Sequence, residues 1–195
     1  MQRISASTRK DALVEAALRL VARHGIAAAS TRAITAEAGM SLASFHYVFP
    51  SRDALLAEVI ERALEREIDA QSLVPYDGLT LEERVYRAFL TSLQLLAADA
   101  GTELAMFELM NHALRTPGLE PLARRQYERY WDVAEALVIE TGAQWSRPAR
   151  EIAQIVVSLN DGISLAWLAT RDHEAAQRMA AVAAGAVCRL AVDPR

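Results

Sequence analysis

The chain holds 195 residues, 52% hydrophobic and 24% charged, with a net charge of −4. That balance describes a folded globular protein and excludes a disordered or low-complexity one. Eight glycines and six prolines are too few for a collagen-like or turn-rich all-β chain, and one cysteine, Cys188, excludes an internal disulfide or a multi-cysteine metal site.

Charge is unevenly distributed. Residues 1–50 carry six basic side chains against three acidic ones, net +3, while residues 51–195 carry 15 against 22, net −7. A basic amino-terminal end attracts nucleic acid and an acidic body repels it. Arg3, Arg9, Lys10 and Asp11 interrupt any apolar run near residue 1, and no stretch reaches the 18 or so apolar residues of a membrane span. A cytoplasmic protein without a membrane partner is expected.

In chain order the periodicity predicts helices almost throughout. Leu13, Ala17, Leu20, Val21 and His24 share one face of a helix over residues 8–24, closed by Gly25. Ser30 and Ser41 stand as caps before two short helices, reaching Ala38 and about Val48, with Gly39 and Met40 turning the chain between them. A long fourth helix runs over 51–70. Pro75 and Asp77-Gly78 mark a loop at 72–80, and further helices fall at 81–98, 102–115, 120–141, 147–170 and 173–192. The fold class is all-α, about nine helices: an amino-terminal three-helix domain over 1–50, a connecting helix over 51–70, and a helical body within 51–195.

The segment STRAITAEAGMSLASFHYVF, residues 30–49, is the most informative. Two helices this short cannot bury enough surface separately; they must cross closely and pack on the first helix. Ile34, Ala38, Met40 and Phe45 supply the apolar contacts, and Gly39 can take the positive φ of the reversal. This is the layout of a helix-turn-helix, whose second helix lies in the DNA major groove. A compact helical protein could also hold such a pair without binding DNA. The position in the basic end, ahead of an acidic bundle, favours DNA.

These residues resemble the TetR family of transcriptional regulators. His24-Gly25, Ser30-Thr31-Arg32-Ala33-Ile34, Ala38-Gly39-Met40-Ser41, Phe45-His46-Tyr47-Val48-Phe49 and Ser51-Arg52-Asp53-Ala54-Leu55-Leu56 match the family's amino-terminal pattern across residues 8–60. Asp161-Gly162 is similar to a pair often found in its second-last helix. Departures are Thr35 where a small Ala is usual, His46 and Val48 for the more frequent Tyr and His, and Leu42 where many members carry Lys or Arg.

The resemblance implies a DNA-contacting set of Ser30, Thr31, Arg32, Ser41, Leu42, Ser44, His46, Tyr47 and Arg52. Arg32 suits a guanine edge or a phosphate, Thr31 and Ser41 can donate hydroxyls to phosphates, and Ser44 and His46 project as base readers. Ser41 is equally explained as a cap, Tyr47 as a half-buried aromatic, and Arg52 as an exposed arginine.

In the body, Met106, Phe107 and Met110 lie on one helix face and Tyr127 and Trp131 on another, a spacing that plain core also produces. The resemblance implies a small-molecule effector within the bundle. These residues and Trp167 would form its walls, with Asn111, Asn160 and Asp161 as orienting groups. It also implies a two-fold homodimer through the last two helices, with Ile152, Val156, Leu159 and Ile163 on one and Met179, Val182, Ala186 and Leu190 on the other. The bland alternative is burial of those arcs against their own chain.

Enzyme signatures are missing from the sequence. The four histidines show no metal-ligand spacing, there is no G-x-S-x-G, P-loop or G-x-G-x-x-G, and no cofactor is implied. The expectation is a ligand-responsive DNA-binding regulator, a repressor leaving a pseudo-palindromic operator when a largely apolar molecule binds. A helical carrier or scaffold without operator binding is the alternative, and salt-dependent DNA binding separates the two.

Overall fold

Helix starts are set by short polar side chains. In the computed structural model, which describes residues 5–72 and 76–192, Ser5, Ser30, Ser41, Ser51, Asp99 and Asp172 each accept a hydrogen bond from the backbone N–H three residues on. Each such cap stabilises its helix by about 1 kcal/mol. Thr80 and Glu83 form a reciprocal capping box, with Thr80 N–H donating to Glu83 at 2.8 Å and Glu83 N–H to Thr80 at 3.3 Å.

The described residues form nine α-helices and one 3-10 turn: α1 (Ala6–His24), the turn (Ile26–Ala28), α2 (Thr31–Glu37), α3 (Leu42–Val48), α4 (Arg52–Ser72), α5 (Leu81–Ala98), α6 (Ala100–Arg115), α7 (Glu120–Glu140), α8 (Ala149–Thr170) and α9 (His173–Cys188). The all-α expectation holds. Most boundaries fall within two residues of expectation, but α9 ends at Cys188, not near residue 192. The chain leaves the helix so that Ser146 N–H can donate to Leu190 O at 2.8 Å and Val192 N–H to Gln144 O at 2.7 Å, around an isolated antiparallel bridge of Trp145 with Ala191. In the expected loop, Gly78 turns the chain at φ +73°, and Pro75 lies outside the described residues.

The chain folds into two compact units, neither contiguous in sequence. The first gathers the chain up to Arg66 with Asp99–Gln126; the second takes Glu67–Ala98 with Tyr127 onward. In the first, α1 buries Leu13, Val14, Ala17 and Val21 against Ile34, Phe45, Phe49, Leu55, Val59, Leu109 and Ala113. Helix α6 approaches α1 so closely at Gly101 that a Cβ there would stand 3.0 Å from the Ala22 carbonyl oxygen. In the second, Val138, Ile152 and Val187 are buried at a junction of α7, α8 and α9, with Val85, Trp145, Val156, Leu159 and Leu190 packed around them. Helix α8 is long and apolar enough to cross a membrane by length and composition, with a mean hydropathy of 1.4. Asp161 nevertheless sits at its middle.

Candidate nucleic-acid interface and effector site

The α2–α3 pair is held from behind. Arg19 Nε and Arg23 Nη2 both reach Glu37 Oε1, at 3.0 and 2.6 Å, tying α1 to the end of α2 and holding that carboxyl below its usual range. Gly39 turns at φ +65° and Met40 N–H donates to Thr35 O at 2.8 Å. Thr35, the departure from the usual Ala, is buried with its hydroxyl satisfied by Arg32 O at 3.0 Å. Phe45 is fully buried, its ring 5.8 Å from that of Phe49.

With that face inward, α3 turns Leu42, His46 and Tyr47 outward; Tyr47 is 68% exposed, which removes the half-buried reading of its ring. Arg9 lies over that ring at 5.5 Å, a neighbour that only tertiary structure reveals. Ser30 and Ser41 are exposed caps, Thr31 is partly covered, and Ser44 is half-buried with its N–H and hydroxyl on Ser41. Arg32 is exposed, and its guanidinium makes no hydrogen bond or ion pair among the described residues. By contrast Lys10 is paired with Glu58 at 2.8 Å, and Arg19 and Arg23 with Glu37. Arg32 therefore keeps its full donor set for an outside acceptor.

Arg52 is placed differently from the sequence reading of an exposed phosphate ligand. Its Nε donates to Ala29 O at 2.7 Å and its Nη2 to Ile26 O at 2.6 Å, so the fork clasps the turn ahead of α2. From the other side, Ile26 N–H donates to Glu108 Oε2 on α6 at 2.6 Å. Both residues pair backbone groups of the turn, and Ile26 O also accepts from Ala29 N–H at 3.2 Å. Glu108 carries no sequence signal for this role, since its partner lies 82 positions away.

The residues assigned to the effector fall in separate places. Met106 and Met110 pack into the first unit's core, Phe107 is half-buried beside them, and Asn111 is exposed with its amide donating to Phe107 O. In the second unit Tyr127, Trp131 and Asp161 come together. Tyr127 donates its hydroxyl to Asp161 Oδ2 at 2.6 Å, and its ring is 5.8 Å from Trp131 and 6.2 Å, edge-on, from Tyr130. Burial pushes the Asp161 carboxyl above its ordinary range, with the Tyr127 bond working against that shift. Burial first, then the bond to Asp161, push the Tyr127 phenol up as well. Asn160 is half-buried next to Asp161. Trp167 is buried and already engaged: its indole N–H reaches His173 Nδ1 at 2.9 Å, and Arg171 lies over its ring at 4.6 Å.

The last two helices divide their apolar arcs. Ile152 and Ile163 are buried within their own chain and cannot meet a partner, and Val156, Leu159 and Leu190 pack partly around that core. Met179 and Val182 are 42% and 72% exposed, and Ala186 is half-buried. On α8 the exposed apolar positions are Ile155 and Leu165, spaced with Ser158 and Gly162 along one stripe. Helix α8 is apolar over so wide an arc that composition alone does not separate the buried stripe from the exposed one.

Residues 13–59 match the model of bacterial regulatory proteins of the tetR family, and residues 81–192 match the tetracyclin repressor-like C-terminal domain. The HTH-type nicotine-responsive transcriptional repressor HdnoR of Paenarthrobacter nicotinovorans is 30% identical over 176 residues, covering 86% of this chain and 87% of that protein. The fold is shared with a transcriptional regulator from Rhodococcus sp. Rha1, at TM-score 0.80 and 20% identity, covering 95% of this chain and 99% of the other. The multidrug binding protein EbrR, solved with ethidium, is 26% identical at TM-score 0.71, covering 94% and 99%. The chain belongs to the TetR family of transcriptional regulators. Proteins of that family are transcription factors, not enzymes.

Proposed function

We propose that this chain is a ligand-responsive repressor. As a homodimer it binds a pseudo-palindromic operator in the cytoplasm, and it leaves that operator when a small, largely apolar molecule occupies the helical body. The observation that carries the reading is the outward face of α3, with Leu42, His46 and Tyr47 exposed beside an uncommitted Arg32. Domain roles follow the sequence division: operator contact within residues 1–50, effector and dimer surfaces within 51–195.

HdnoR is named as nicotine-responsive and EbrR is seen with ethidium; both support a compact effector with an aromatic body. The dimer would use the exposed stripe of Ile155 and Leu165 on α8 with Met179 and Val182 on α9, where apolar surface otherwise faces water. Two recognition helices one or more DNA turns apart supply contacts that one cannot. Release would be a population shift, with α4, which begins in one unit and ends in the other, as its covalent route.

The test is enrichment of bound duplexes from a random pool, followed by a salt titration on the selected site. A two-fold-symmetric sequence is expected, weakened by Arg32→Ala and Tyr47→Ala. Enrichment of no sequence by a folded dimer would overturn the reading in favour of a carrier.

A further inference from the structure

We propose that the effector is a small organic cation, an amine or quaternary ammonium on an aromatic or apolar body, seated against Asp161 and the rings of Tyr127, Tyr130 and Trp131. The proposal rests on the ligand-responsive reading above and specifies its ligand.

Asp161 sits near the middle of α8, too far from either end to be served by unpaired helix-terminal groups. A carboxylate there is costly unless charge and hydrogen bonds compensate it. Among the described residues its one partner is the Tyr127 hydroxyl on Oδ2. A phenol gives one hydrogen bond and no positive charge, and among the described residues no arginine, lysine or histidine pairs with the carboxylate. Desolvation accordingly pushes this group up, and only the Tyr127 bond pulls it back. An asparagine would satisfy Tyr127 at lower cost, so the negative charge at this position calls for a countercharge that these neighbours do not provide.

The surroundings suit a positive charge on an apolar body. Tyr127, Tyr130 and Trp131 fall at i, i+3 and i+4 on α7, one patch of that helix, with ring centroids 5.8 and 6.2 Å from Tyr127. Ring faces attract cations, most strongly for tryptophan. Trp131 already demonstrates this: the Arg150 guanidinium lies over it at 5.4 Å, anchored by Asp132 at 2.6 Å and Glu135 at 3.2 Å. The net −7 of residues 51–195 raises the local concentration of cations around the site.

The experiment uses phenyltrimethylammonium, ethidium and tert-butylbenzene, the last being the uncharged carbon isostere of the first. Binding to the full-length protein and release of the selected operator are both measured. The ammonium is expected to bind at least about tenfold tighter than its isostere, and Asp161→Asn to remove that advantage while leaving the isostere unaffected. Tyr127→Phe, which keeps the carboxylate, should retain the preference for charge, and it provides the contrast if the asparagine variant fails to fold. Equal binding of ammonium and isostere, or unchanged ammonium affinity in Asp161→Asn, overturns the proposal. So does the failure of both cations to bind at about 1 mM. Operator release by tert-butylbenzene alone would leave the ligand-responsive reading standing and remove the cation. Asp161-dependent cation binding without operator release would keep the site and remove the repressor mechanism.

Discussion

Arg52→Met separates two jobs that the same side chain could perform. The guanidinium donates to Ala29 O at 2.7 Å and Ile26 O at 2.6 Å, and methionine keeps the length of the stem while deleting both bonds. Charge-assisted hydrogen bonds contribute about 1.5–3 kcal/mol each when buried. This turn is partly exposed, so water recovers a share of that, and a net loss of about 2 kcal/mol is expected. For a chain of this size that lowers Tm by roughly 4–8 °C. Operator affinity should also fall, because the turn sets where α2 begins. The slope of log affinity against log salt should nevertheless stay at its parent value, since no phosphate contact is lost. Arg32→Ala should do the opposite, leaving Tm alone and reducing the slope by about 0.9, one phosphate's share. Thermal melts and salt titrations on the selected operator decide the matter. If Arg52→Met melts like the parent and loses one phosphate's share of slope, Arg52 is a DNA ligand and the clasp is incidental.

Glu108→Gln keeps an acceptor for Ile26 N–H and should cost under about 1 kcal/mol, whereas Glu108→Ala leaves that N–H bare and should cost about 1.5–2 kcal/mol, read from urea midpoints. Val182 is 72% exposed, so Val182→Glu should change monomer stability by no more than about 0.5 kcal/mol. Sedimentation velocity should nonetheless show loss of the dimer; an intact dimer would move the interface elsewhere. Asp161 has a folded-state pKa raised by burial, so its contribution is most favourable below the ordinary aspartate range and is lost as pH rises through the raised value. Asp161→Asn should therefore melt close to the parent near pH 4 and above it at pH 7; identical melting at pH 7 would contradict the desolvation account.

The elements were legible where local chemistry decides them. Ser30, Ser41 and Gly39 mark the short helix pair by rules acting over three or four residues, and the structure uses each as such. The buried face of α1 follows from periodicity, with His24, at the edge of that face, left exposed in the last turn. What sequence reasoning could not supply depends on distant pairs. Arg9 over Tyr47, Glu108 at Ile26 and Arg52 at two carbonyls join residues 38, 82, 23 and 26 positions apart, and no spacing rule reaches that far. In α8 the difficulty was different: Ile152 and Ile163 face inward while Ile155 and Leu165 face out, and all four are equally apolar.

The interleaving of the two units bears on how such regulators can be recombined. Helix α6 lies in sequence between α5 and α7, yet it belongs with α1, α2 and α3. A chimera joined by a single crossover after α3 or within α4 would inherit a foreign α6. That helix would have to offer a residue as small as Gly101 where it passes the Ala22 carbonyl, and a carboxylate at the height of Ile26. If the amino-terminal helices read the operator as proposed, transplanting that specificity calls for a double exchange that carries residues 99–126 along with them. Grafts that omit the second segment would inherit the recognition helix without its support.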